Sequence, residues 1–263
     1  MIVSVNNQRV KDLVKLRNSL FSRKSKLFII EGVREVSIAL QAKIEIRELY
    51  ICKDFISKTS QVSLGSHALK RKINISEVNS KVYEKMAYGN RRDGVIAIGL
   101  RPEYKLSDIK LSPVPFIVVA DGIEKPGNLG AILRTIDAAS VDALIVAEPG
   151  TDPYSHQVVR SSVGAVFSKP IVKAASQEIL AWIKRFKIFT ICAHPEGSSV
   201  YTSLDFRKPV ALVVGSEEKG VSKFWQNNSD ILTHVPMRGK ADSLNVSVAA
   251  AVLIFEALRQ RSL

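Results

Sequence analysis

The sequence predicts an α/β protein of two domains, and three observations carry that prediction. From Phe116 onward, short runs of consecutive apolar residues alternate with helix-forming segments, the pattern of a parallel sheet covered by helices on both faces. Before Arg101, strands and helices alternate on a smaller scale. Between them, residues 101–115 hold Pro102, Pro113 and Pro115 with scattered charges and no periodicity, as a linker does. The expected domains are residues 1–105 and 106–263, each long enough to bury its own core.

In the first domain, Val10, Leu13, Val14, Leu16 and Leu20 recur at helical spacing and predict a helix over 8–20, followed by a basic turn at 21–26. A strand at 27–31 leads into an amphipathic helix at 32–42, built on Val33, Val36, Ile38 and Leu40. A strand at 47–52, a helix near 54–60, a short strand at 72–76, a helix at 77–87 and a strand at 94–100 complete it.

In the second domain, residues 116–120 form a fully apolar strand, with a loop at 121–127 and a helix at 128–139. Strands follow at 143–147, within 163–172, and at 188–193, 210–214 and 231–235. Helices are expected at 154–162, 176–186 and about 219–226. Ligands of such sheets bind beyond the carboxyl ends of the strands, where three loops stand, after Ala120, Val214 and Val235. The last turns through Arg238, Gly239 and Lys240 and offers Asp242 or Ser243 as the cap of the closing helix. That helix, Asn245 to Leu258, is apolar on nearly every face and is expected to be buried on most sides, in the core or at a subunit interface. A self-complementary two-fold contact through it predicts a homodimer.

Composition narrows the classes. At 46% hydrophobic residues and a mean hydropathy of +0.08 the chain folds rather than staying disordered. No apolar run approaches the length of a membrane span, and the start lacks a signal-peptide core. Cys52 and Cys192 form no CxxC, and His67, His156, His194 and His234 have no metal-ligand spacing. A reduced, cytoplasmic protein without a metal is expected, although two cysteines leave one disulfide open. The histidines read as structural or exposed, and Cys192, in an apolar strand, as core. No G-x-G-x-x-G stands where a dinucleotide enzyme needs one. The net charge of +13 is uneven: residues 1–110 hold 22 Lys+Arg against 11 Asp+Glu, net +11, which leaves 16 against 14, net +2. The split suggests a polyanion-binding module joined to a near-neutral one.

Three stretches carry the functional reading. They are Asn128-Leu-Gly-Ala-Ile-Leu-Arg134-Thr135, Leu212-Val-Val-Gly-Ser-Glu-Glu-Lys-Gly220, and the run from Val235 through Pro236, Met237 and Gly239 to Ser243-Leu244-Asn245. In this order they resemble the three motifs of the SpoU (TrmH-type) branch of the SPOUT RNA ribose 2′-O-methyltransferases, over about residues 116–258. The first domain, through Phe28-Ile-Ile-Glu-Gly32, resembles the L30e-like substrate-binding domain that many of these proteins carry. The resemblance implies a parallel-sheet SPOUT domain with a deep trefoil knot, against the general rule for chain topology. It also implies S-adenosyl-L-methionine as cofactor and a homodimer with the active site close to the partner chain.

The same resemblance assigns residues. Backbone groups of Gly215, Val235, Met237 and Leu244 would bind the cofactor, the missing side chain of Gly215 letting a ligand approach the main chain. Arg134 is given the role of catalytic base activated by a substrate phosphate. Guanidinium chemistry suits another role better: gripping the 3′ phosphate and stabilising the forming 2′-alkoxide while water or phosphate takes the proton. Asn128 caps its helix and orients Arg134 or the ribose; Glu217 holds a nearby amide or Arg134; Ser243 and Asn245 bind substrate or fix the loop. Ser161, Ser162 and Gly164 are given a phosphate or interface role. The implied activity is methylation of a ribose 2′-hydroxyl in structured RNA. Ribosomal RNA is favoured over transfer RNA because the basic domain resembles a ribosomal-protein fold. The rival is a non-catalytic RNA-binding or ribosome-assembly protein on the same fold, which is expected to have lost Arg134 or the Ser243-Leu244-Asn245 run. The N-x-G-x-x-x-R spacing speaks against base methylation.

Overall fold

Asparagine side chains decide where the first helices begin. Asn7 accepts from the Arg9 amide and starts α1 (Gln8–Lys15); Asn18 accepts from the amides of Leu20 and Phe21 and starts α2 (Ser19–Ser25). The one helix expected over 8–20 is therefore two, and most of the expected basic turn is helical. Next come β1 (Leu27–Glu31), α3 (Val33–Gln41), β2 (Ile46–Ile51), α4 (Lys58–Lys70), β3 (Asn74–Glu77), α5 (Ser80–Met86) and β4 (Val95–Leu100). Their strands form one sheet in the order β1-β4-β2-β3, with β4 antiparallel to both neighbours and β3 parallel to β2. Helix α4 starts later and runs longer than the helix expected near 54–60. Ser57 caps it, and only Leu64 and Ala68 along it are buried, so its apolar periodicity is weak.

The computed structural model describes residues 1–89, 91–148 and 150–262. By their internal contacts they form two compact units, Met1–Pro102 with Tyr154–Ser168, and Glu103–Pro153 with Lys169–Leu263. The second half of the chain runs through β5 (Phe116–Ala120), α6 (Pro126–Ala138), β6 (Ala143–Val146) and α7 (His156–Ser161), the last belonging to the first unit. Then follow β7 (Ile171–Lys173), α8 (Ser176–Arg185), β8 (Phe189–Ala193), β9 (Ser199–Val200), β10 (Val210–Val214), α9 (Lys223–Asn228), β11 (Ile231–His234) and α10 (Val246–Arg261).

The second unit's strands form an all-parallel seven-stranded sheet in the order β7-β6-β5-β10-β8-β11-β9. Every residue of β5, β6 and β10 is buried, as a sheet covered on both faces requires. Ile179 and Ile183 of α8 and Trp225 of α9 pack against one face. Strand β9 is too short to show a period and was not expected. Helix α6 starts earlier than Asn128, with Pro126 in the first turn, where its missing N–H costs nothing. Helix α9 starts later than residue 219, because Ser216 and Gly220 close a tight turn, N to O at 2.9 and 3.1 Å.

Helix α10 is capped by neither Asp242 nor Ser243. Asn245 is the cap, its Oδ1 accepting from the Ser247 amide at 2.9 Å. Ala250, Leu253, Ile254 and Ala257 are its buried face, and the helix packs on α6. Val248 and Phe255 remain 47% and 49% exposed. In the single chain the helix is thus buried on one side only. Among the described residues no helix is long and apolar enough to cross a membrane.

Residues 154–168 lie in the second half of the sequence but pack within the first unit. The Phe28 ring meets Tyr154 at 5.4 Å and Phe167 at 5.8 Å between centroids. Gly164 is left-handed, φ 85°, and a Cβ there would fall 2.9 Å from Ile38 Cδ1. Its role is packing. The Ser162 side chain is buried and donates to the Val159 carbonyl at 3.0 Å, and Ser161 Oγ donates to the Val158 carbonyl at 3.4 Å. Both hydroxyls donate to carbonyls of their own helix.

Candidate active site

Strands β10, β8 and β11 are neighbours and parallel, so their carboxyl ends open on one side of the sheet. Each then turns tightly for a reason in its own backbone. Gly215 follows β10, and a Cβ there would lie 2.2 Å from Gly220 C and Val221 N. The turn by itself already demands a glycine at this position. Past β8, a Cβ on Gly197 would lie 2.6 Å from the Thr233 backbone. That close approach seats the 194–197 turn on β11, with His194 N donating to the Thr233 carbonyl at 2.9 Å and His234 Nδ1 at 2.8 Å from the Gly197 carbonyl.

These loops and the start of α10 enclose a cavity of about 500 Å³. Its apolar wall is Val214, Val235, Met237, Leu244, Val246, Ala249 and Leu253; its charged rim is Glu196, Glu217, Glu218 and Asp242 against Lys219. All four residues expected to bind a cofactor, Gly215, Val235, Met237 and Leu244, line it, as do Glu217 and Ser243. His194 and His234, read from the sequence as structural or exposed, line it too, beside Pro195 and Glu196. Nothing in the sequence places β8 between β10 and β11, so the loop after Ala193 had no claim on the site. Its one signal is Gly197, shortly after a strand end.

The expected catalytic residues come together in part. Asn128 Nδ2 donates to Glu217 Oε1, and Asn245 Nδ2 donates to Asn128 Oδ1 at 3.2 Å. One residue of each motif is thereby joined in a chain that ends at the cavity. Asn128 does not cap its helix: it sits in the first turn of α6, whose cap is Lys125. Of the two partners open to Glu217, the amide is the one it holds. Arg134 stands apart, about 9 Å further along the α6 axis and on another flank. It is exposed, lies outside the cavity wall, and pairs with no group among the described residues. Cys192 is fully buried; burial and the nearby charge of Asp121 push its thiol up to about 12, so it stays protonated and belongs to the core.

Residues 115–255 match the SpoU rRNA Methylase family, and residues 7–97 the MRM3-like substrate binding domain. The chain belongs to the SpoU methylase family. This SpoU-family chain is 28% identical over 254 residues to the 23S rRNA (guanosine(2553)-2′-O)-methyltransferase RlmP of Bacillus subtilis (strain 168), covering 97% of both. It is similar to a crystal structure of an RNA 2′-O ribose methyltransferase at 39% identity and a TM-score of 0.86, covering 100% of this chain and 99% of that one. It also resembles the SpoU methyltransferase AviRb of Streptomyces viridochromogenes in complex with AdoMet, with 28% identity, a TM-score of 0.89, and 97% and 99% coverage.

Proposed function

We propose that this SpoU-family protein methylates a ribose 2′-hydroxyl in structured RNA, ribosomal RNA in preference to transfer RNA, with S-adenosyl-L-methionine as donor. The observation that carries it is the cavity at the ends of β8, β10 and β11, tied through Glu217, Asn128 and Asn245 to a helix that presents the exposed Arg134. The apolar wall suits an adenine, and the carboxylate-rich rim suits the cationic end of the donor. Bound there, the donor supplies a methyl group on a cationic sulfur. The protein's own part is electrostatic and positional. Arg134 grips the phosphate beside the target ribose and stabilises the oxygen as it loses its proton to water or phosphate. Asn128, held between Glu217 and Asn245, fixes the first turn of α6 and with it the flank that carries Arg134. Ser243 lines the cavity. A non-catalytic RNA binder is disfavoured, because Arg134 and the Ser243-Leu244-Asn245 run are all retained, with Ser243 and Leu244 in the cavity wall.

In this reading residues 1–105 bind the RNA substrate and 106–263 catalyse, in the cytoplasm and without a metal. The family's trefoil knot lies in the C-terminal segment. The activity of the relatives, 23S rRNA methylation above all, supports the ribosomal substrate. S-adenosyl-L-methionine at a hundred times its Kd is expected to stabilise the protein by about 2.7 kcal/mol in thermal melts. Stabilisation by NAD and not by the methyl donor would refute the assignment. RNA affinity is expected to fall steeply with salt, by roughly 0.7 log units per log unit of salt for each phosphate contacted on a single strand. A salt-independent affinity would exclude the basic surface as the binding face.

The reading includes a homodimer through α10. Val248 and Phe255 lie seven positions apart on its exposed flank, two helical turns, and leave apolar surface that a second copy would cover. Phe255→Glu combined with Val248→Glu is expected to shift the mass in sedimentation equilibrium from dimer to monomer, with the circular dichroism spectrum unchanged. A monomeric wild type with full turnover would sink the dimer.

A further inference from the structure

The cavity-lining loop between β10 and α9 is held at both ends by a single residue. Asp121, the first residue past β5, donates its amide to the Val214 carbonyl at 2.9 Å, at the point where the loop leaves β10. Its carboxylate Oδ2 accepts from the Ser222 amide at 2.7 Å, at the point where the loop enters α9. Between these bonds lie Gly215, the tight turn from Ser216 to Gly220, and Glu217, which reaches Asn128. The next residue, Gly122, is left-handed, φ 69°, and brings the β5 exit to within 3.9 Å of the Ser216 side chain for an added Cβ.

Asp121 is only 3% exposed, and its second oxygen, Oδ1, is buried with no protein hydrogen bond among the described residues. A half-satisfied buried carboxylate is a costly way to stabilise a fold. It is a good way to fix a geometry, because a carboxyl oxygen on a strand end makes a short, directional bond to a loop amide.

We infer that Asp121 is the positioning residue of the donor site: by fastening both ends of the 215–221 loop it sets the cavity wall and the reach of Glu217 to Asn128. The inference rests on reading the cavity as the donor site. It is not a catalytic role, since Asp121 is not among the cavity-lining residues.

The test compares Asp121→Ala with Asp121→Asn in the full-length protein. Asparagine keeps an oxygen that accepts the Ser222 amide, and alanine does not. Hydrogen exchange of the cofactor-free protein is measured first. In Asp121→Ala, amides of residues 216–222 are expected to exchange about tenfold faster, the scale of one buried hydrogen bond lost, while β5 and β10 keep their protection. Calorimetric titration with S-adenosyl-L-methionine is then expected to show about a tenfold weaker Kd for Asp121→Ala and a value close to wild type for Asp121→Asn. If Asp121→Ala does not accumulate as folded protein, Asp121→Ser carries the same test, being too short to reach Ser222. Exchange that accelerates uniformly through the unit means a merely structural residue and overturns the inference. So does a loosened loop with unchanged donor affinity, or a loop that stays protected. A wild type that binds no donor would instead refute the reading of the cavity, while the exchange pattern would still report on the loop.

Discussion

Arg134→Ala is expected to lower methyl transfer to RNA by about 10²- to 10³-fold, the usual cost of removing one group that stabilises a developing oxyanion. Donor affinity is expected to stay near wild type, because Arg134 is outside the cavity wall, and the fold is expected to be untouched, because the side chain is exposed and pairs with no group among the described residues. A loss in turnover without a loss in binding is the signature of a contact made in the transition state. Arg134→Lys is expected to rescue poorly: an ammonium keeps the charge but lacks the planar fork that holds a phosphate and an alkoxide together. The product is expected to resist alkaline cleavage at one linkage, since the blocked 2′-oxygen can no longer attack its phosphate. Near-wild-type turnover in Arg134→Ala, or a methyl group found on a base, would defeat the mechanism.

Gly215→Ala is expected to abolish donor binding almost as completely as Gly215→Val. An added Cβ falls 2.2 Å from main-chain atoms of Gly220 and Val221, neither of which can swing away as a side-chain tip does. The first carbon already displaces the turn that carries Glu217, so further bulk adds little. Had the glycine been needed for ligand approach, the loss would be graded by size and alanine would retain much of the affinity. Titration of both variants with S-adenosyl-L-methionine separates the two accounts: alanine near wild type with valine inactive would restore the ligand-approach explanation.

The parts of this site that were legible in the sequence are those in which local pattern and global fold agree. The all-apolar runs 116–120 and 210–214 read as buried parallel strands because burial on both faces leaves no other residues to use. The loops after them follow from that placement. What was not legible depends on choices that propensity does not rank. Asp242, Ser243 and Asn245 are all good caps, and propensity does not choose among them; the fold uses the last. Asn18 splits a helix whose apolar spacing alone runs straight through it. Strand order is set by long-range pairing, so the neighbours β10, β8 and β11, and with them the places of His194, Glu196 and His234, were out of reach.

Residues 154–168 have a consequence for anyone who dissects this protein. Removing residues 1–110 looks like a clean way to ask what the basic half contributes. That cut would strip Tyr154 and Phe167 of Phe28, and Gly164 of the Ile38 side chain it abuts, leaving an orphaned apolar flap on the remaining fragment. A truncated protein that aggregates or loses its cofactor would then report the flap and not the missing half. The same holds for chimaeras. A substrate-recognition half taken from a relative is a discontinuous part, and a graft that transplants only the amino-terminal stretch brings a socket without its plug.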